Sequence, residues 1–147
     1  MTLSILEHTS SSYGPRTYAN AASADVTIAL AVDFSTAGEK LTKKAAGDMY
    51  LHLPLDTDYL TNARELYKFM KHRQARSINV AGNGIYTLNK HDFCQERIND
   101  YVYNLLAIVH EHWVIEAIRS GGQSGVDLAG LCAGYKLGID TTALLPK

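Results

Sequence analysis

The chain has 147 residues with 14 Lys and Arg against 15 Asp and Glu, a formal charge of -1. That length fits one domain, residues 1–147, with a core that needs no disulfide or metal staple. Near-neutral charge gives no global field for nucleic acid or an anionic membrane, and a 46% hydrophobic, 20% charged composition is that of a soluble globular chain.

The first thirteen residues are polar and Ser-rich, and no element is predicted there beyond a flexible lead-in. They lack the cationic start and apolar stretch of a secretory signal. The longest apolar runs fall well short of a bilayer span. Cys94 and Cys132 lie far apart without metal spacing, as expected for packed, reduced thiols of a cytosolic protein.

Val26 to Val32 is the first predicted strand, a short β-leaning apolar run of the kind covered on both faces. It ends at Asp33-Phe-Ser-Thr-Ala-Gly38, and a helix over 39–46 closes on Gly47. Met49 to Leu55 is a second strand that Pro54 should terminate. Asp56 or Thr57 caps a helix to about Arg73, with Leu60, Ala63, Leu66, Tyr67 and Met70 on one face. Ser77 to Ala81 forms a third strand, leading into Gly82-Asn83-Gly84. The longest helix runs from Cys94 or Gln95 to His112, where Ile98, Tyr101, Val102, Leu105, Ile108 and Val109 recur at helical spacing. Val114 to Ile118 is a fourth strand; a helix over 126–137 follows, closed by Gly138, and Thr141 to Leu145 is the fifth.

Strands alternating with helices predict an α/β, Rossmann-like three-layer sandwich: a mainly parallel five-stranded sheet with helices on both faces. Ligands of such sheets bind beyond the carboxyl ends of the strands, where the topology switches. The glycine clusters fall at those ends.

Arg119-Ser-Gly-Gly-Gln-Ser-Gly-Val-Asp127 is the sharpest of them. Gly121 and Gly122 permit a tight turn and close approach to a ligand, and the following helix presents N–H groups and its positive dipole end to an anion. Ser120, Gln123, Ser124 and Gly125 complete the loop, and Arg119 adds charge. The bland alternative is a plain strand-to-helix turn with Asp127 as a helix-end charge. Gly82, Asn83 and Gly84 form a second candidate wall, although Asn-Gly is also a favoured turn. In the third loop Ser35 or Thr36 caps a helix while a hydroxyl faces a phosphate, with Gly38 beside it. Glu39 either satisfies backbone donors of the helix end, or it or Asp33 is a polar contact to a ribose or a general acid/base. His110 and His112, two apart on a helix, point in different directions and make no metal site.

Ser120-Gly-Gly-Gln-Ser-Gly-Val-Asp127, followed by Ala129, Ala133 and Leu137-Gly-Ile139, resembles the Ser-Gly-Gly-Gln-Thr-Gly-Val-Asp motif of YpsA-like proteins in the SLOG superfamily, relatives of the lysine-decarboxylase-like (LOG) Rossmannoid proteins. Ser124 stands where Thr is usual. Arg16-Thr17, the strand ending at Val32, Ser35-Thr-Ala37, Val80-Ala-Gly82 and Gly84-Ile-Tyr86 match further segments that ordinarily come after that motif; here they precede it. The chain therefore resembles a circularly permuted branch, and permutation accounts for its stop at Leu145-Pro146-Lys147.

The resemblance implies a nucleotide or nucleotide-derived, phosphate-bearing ligand, with Arg16 among its contacts. The protein is then a sensor, carrier or sequestering protein. The alternative is a nucleotide-processing enzyme, since LOG-type members hydrolyse the N-glycosidic bond of nucleoside monophosphates. Asp33, Glu39 and Asp127 are the acids that role requires, but the LOG signature Pro-Gly-Gly-x-Gly-Thr-x-x-Glu is not reproduced. A third class, a protein-interaction module, predicts an occluded pocket. No cofactor or metal is expected. A homodimer is expected through apolar surface on the 95–112 helix, with Tyr101, Tyr103, Ile108 and Trp113.

Overall fold

A computed structural model describes residues 2–10 and 13–146. In chain order these form β1 (Leu3–Glu7), α1 (Tyr13–Ala22), β2 (Val26–Ala31), α2 (Ala37–Ala46), β3 (Tyr50–Pro54), α3 (Tyr59–Arg73), β4 (Ser77–Gly82), α4 (Ile85–Asn89), α5 (Gln95–His112), β5 (Ala117–Ser120), α6 (Val126–Lys136) and β6 (Asp140–Leu145), with a 3-10 turn at Gly47–Met49.

The sequence predicts five strands; the sheet has six, all parallel, in the order β1-β6-β5-β4-β2-β3. The sixth is β1, an edge strand exposed along its whole length. At the centre the logic of a doubly covered strand holds: Val26, Ile28, Leu30, Ile78 and Val80 are wholly buried. Helices α3, α5 and α6 pack on one another over one face, while α1 and α2 pair on the other. The apolar stripe of α5 is consumed there: Ile98, Val102, Leu105, Leu106 and Val109 are buried, with Tyr101, Tyr103, Ile108 and Trp113 packed against them. Those four, on which a dimer surface is expected, are thus partly buried against the core.

Local chemistry sets the helix ends. Thr36 caps α2, its Oγ1 accepting from Glu39 N at 3.2 Å, and Gly47 closes it with φ +58°. Asp58, rather than Asp56 or Thr57, caps α3, accepting from Thr61 N at 2.8 Å. Strand β5 begins three residues later than the apolar run suggests, because residues 113–116 are otherwise bonded. Trp113 Nε1 donates to Ala75 O, Ile115 N to His110 Nδ1, and Glu116 N to Arg76 O.

Candidate functional site

From β2 the chain moves outward to β3, and from β4 it moves the opposite way to β5. The loops after β2 and β4 therefore diverge, leaving a crevice at the carboxyl ends of the strands. The loop after β5 lies across it, and α1 flanks it from the other face.

Much of the polar chemistry of these loops builds the crevice itself. Asn83 is 2% exposed. Its Oδ1 accepts from Val32 N at 2.8 Å and Asp33 N at 3.1 Å, and its Nδ2 donates to Asp33 O at 2.9 Å. It clamps the β2 and β4 loops together through both lone pairs of Oδ1 and one of the two Nδ2 hydrogens. Gln95, at the start of α5, grips Gly125 at both ends: Oε1 accepts from Gly125 N at 2.7 Å and Nε2 donates to Gly125 O at 2.9 Å. Gly125 has φ +109°, and a Cβ there would stand 2.5 Å from Asn83 O. Ser120 is fully buried, its hydroxyl donating to Val80 O at 2.7 Å.

Two N–H groups where the loop enters α6 are likewise engaged: Gly125 N is held by Gln95, and Val126 N donates to Asn83 O.

A cavity of about 430 Å³ opens beside this loop, lined among others by Arg16, Asn20, Gly121, Gly122, Gln123 and Asp127. Arg16 and Asn20, one turn apart on α1, reach toward Gly121 together. A Cβ on Gly121 would lie 3.0 Å from Asp127 Oδ2, 3.8 Å from Asn20 Nδ2 and 3.9 Å from Arg16 Nη1. The glycine makes room for that polar group. Gly122, at φ +79°, carries the turn. Arg119 stands behind, its Nε donating to Asn20 Oδ1 at 3.0 Å.

A second cavity of about 290 Å³ adjoins the first, with Gln123 lining both. Thr36, Gly38 and Glu39 form one side of it, and Gly82, Asn83, Gly84, Tyr86 and Thr87 the other. Glu39 is 4% exposed and its Oε1 has no hydrogen-bond partner.

The three acids differ. Burial, then the charges of Asp127 and Asp33, push the Glu39 carboxyl up to about 7. Burial also pushes the Asp127 carboxyl up to about 7, against the opposing pull of the Gln123 backbone and the Arg16 charge. Asp33 is lowered, because Ser35 Oγ donates to it at 2.5 Å and Ser35 N at 2.8 Å. It is a turn anchor. Glu39 lines the smaller cavity and Asp127 the larger as two readily protonated carboxyls, while Asp33 lines neither.

Thr17, Leu145 and Pro146 also line the larger cavity, as do Asn20, Thr42 and Asn79, which carry no motif in the sequence. Asn20 had a signal, its one-turn spacing from Arg16. Cys94 is exposed rather than packed, its Sγ accepting from Arg97 N at the head of α5. Among the described residues no cluster of His, Cys, Asp and Glu is set to hold a metal, and no helix is long and apolar enough to cross a membrane.

A family model for the circularly permutated YpsA SLOG family matches residues 2–90. The match spans α1 and the loops after β2 and β4, and ends before the Ser120–Asp127 string. No curated protein and no solved structure matches the chain.

Proposed function

The chain belongs to the circularly permutated YpsA SLOG family, and from that premise we propose that it binds a nucleotide or nucleotide-derived phosphate as a sensor, carrier or sequestering protein. One observation carries this reading: the 430 Å³ cavity at the carboxyl ends of the strands, where a glycine turn and a cationic side chain meet. Its volume falls in the range of small-molecule sites. Gly121 and Gly122 let a phosphate approach the main chain, and Arg16 supplies charge-assisted donors to it.

The test is titration calorimetry of the full chain with the four ribonucleoside 5′-monophosphates and with ribose 5-phosphate. Saturable heat that Arg16→Ala weakens at least tenfold supports the reading. No heat with any of the five compounds overturns it.

The placement of Glu39 and Asp127 favours a second reading, hydrolysis of the N-glycosidic bond. An oxocarbenium-like transition state gains from an adjacent carboxylate, and a second carboxyl with a raised pKa can pass a proton to the departing base. Released base measured by chromatography tests it, with Glu39→Gln and Asp127→Asn expected to lower turnover by 100-fold or more. Turnover that survives both substitutions sinks this reading and leaves binding intact.

A further inference from the structure

The smaller cavity holds two features that neither the core nor the glycine loops require. Tyr86 is 85% exposed, the most exposed large hydrophobic side chain among the described residues, and it lines this cavity. Its short helix already docks through Leu88, which is fully buried, so packing does not account for an aromatic ring at residue 86. Glu39 lines the same cavity, sealed from solvent apart from 4% of its surface, with Oε1 lacking a partner. A buried polar atom without a hydrogen bond is costly, and a ligand that supplies one gains accordingly.

Gly84 lines the same cavity, and a Cβ there would stand 2.9 Å from Gln123 Nε2, the tip of a side chain that lines both cavities. An exposed π face and a buried polar group that line one cavity are the complement of a flat heterocycle that carries N–H groups on its edge.

We infer that this cavity is the base subsite of the nucleotide: Tyr86 stacks on the face of the heterocyclic ring, and Glu39 accepts a hydrogen bond from an N–H on its edge. The inference rests on the nucleotide reading above, with the phosphate end in the neighbouring Arg16, Gly121 and Gly122 compartment. A sugar has no π face to offer Tyr86, which is what separates the two compartments chemically. Stacking tolerates any base, and preference among bases comes from the edge that meets Glu39.

The experiment compares the full chain with Tyr86→Ala and Tyr86→Phe, using the four ribonucleoside 5′-monophosphates and ribose 5-phosphate as probes in calorimetry. At least one monophosphate binds the unmodified chain about tenfold or more tightly than ribose 5-phosphate does. Tyr86→Ala erases about tenfold of that affinity, leaves ribose 5-phosphate unchanged, and Tyr86→Phe restores the difference. Because Tyr86 is exposed, its thermal midpoint serves as the folding control and stays within a degree or so of the parent. If Tyr86→Ala leaves every monophosphate within twofold, or weakens ribose 5-phosphate equally, the base subsite is overturned while phosphate binding stands. Equal affinity for ribose 5-phosphate and all four monophosphates overturns it as well. If no probe binds, the nucleotide reading falls and the subsite falls with it.

Discussion

At the scale of single residues, the crevice stores its chemistry in two carboxyls that fold into a place where ionising is unfavourable. Glu39 and Asp127 both hold their protons up to about pH 7, against ordinary values of 4.5 and 3.8. A proton bound more tightly in the folded chain than in the unfolded one means that stability falls as pH rises through the interval between those values. Below about pH 4 both states are protonated and nothing is lost; above about 7 the penalty levels off. Glu39→Gln removes the charge and keeps the shape. Denaturant unfolding should therefore find this variant more stable than the parent by on the order of 2 kcal/mol at pH 8, and little different at pH 4.5. A variant that is equally or less stable at pH 8 would show that Glu39 ionises freely. The same substitution is expected to lower turnover if the crevice hydrolyses its ligand, so stability gained and function lost would go together.

At the scale of elements, the glycine loop is held from outside itself. Gly125 is gripped at both backbone ends by a side chain thirty positions earlier, and Asn83 ties the loops after β2 and β4 with three hydrogen bonds. Gln95→Ala should leave the α5 stripe in place, cost about 1–2 kcal/mol of stability, and weaken nucleotide affinity through a loosened loop. Faster amide exchange confined to 121–126 is the measurement that shows it. Gly125→Ala should be far worse, above 3 kcal/mol, since backbone stands in the way and φ +109° is a strained conformation for alanine.

These two residues mark where the sequence stops being readable. The strands β2 and β4 are legible because burial on both faces writes an uninterrupted apolar run, and α5 because its stripe repeats for five turns. Helix α1 is not, since Tyr13-Gly-Pro-Arg opens with residues that elsewhere break helices; Pro15 is tolerated because it sits in the first turn. Strand β1 carries no alternation to read, being exposed on every residue. Of the site, glycine loops at strand ends announce themselves. The grip of Gln95 on Gly125 and the reach of α1 to Gly121 do not, because they join positions 30 and about 100 apart that only the fold brings together.

At the scale of the whole molecule, stability is unevenly shared across the sheet. The central pair β2 and β4 is sealed by helices on both faces, and opening it means exposing the core; β1 hangs on one side of β6 and covers almost nothing. Local opening free energy follows buried contacts, so amides of β2 and β4 should exchange only on global unfolding, whereas those of β1 should exchange orders of magnitude faster. Residues Leu3, Ile5 and Leu6 are 46%, 66% and 50% exposed, and beside them Leu128, Leu131, Cys132 and Tyr135 line an apolar groove. An apolar edge strand beside an apolar groove is a liability unless it is covered. Hydrogen exchange followed by mass spectrometry at two protein concentrations, a hundredfold apart, separates the cases. Fast exchange of residues 3–7 at both concentrations is the expected outcome for the isolated chain. Protection that grows with concentration would instead identify this edge as the face on which copies associate, and Ile5→Lys should then abolish it without moving the exchange of β2 or β4.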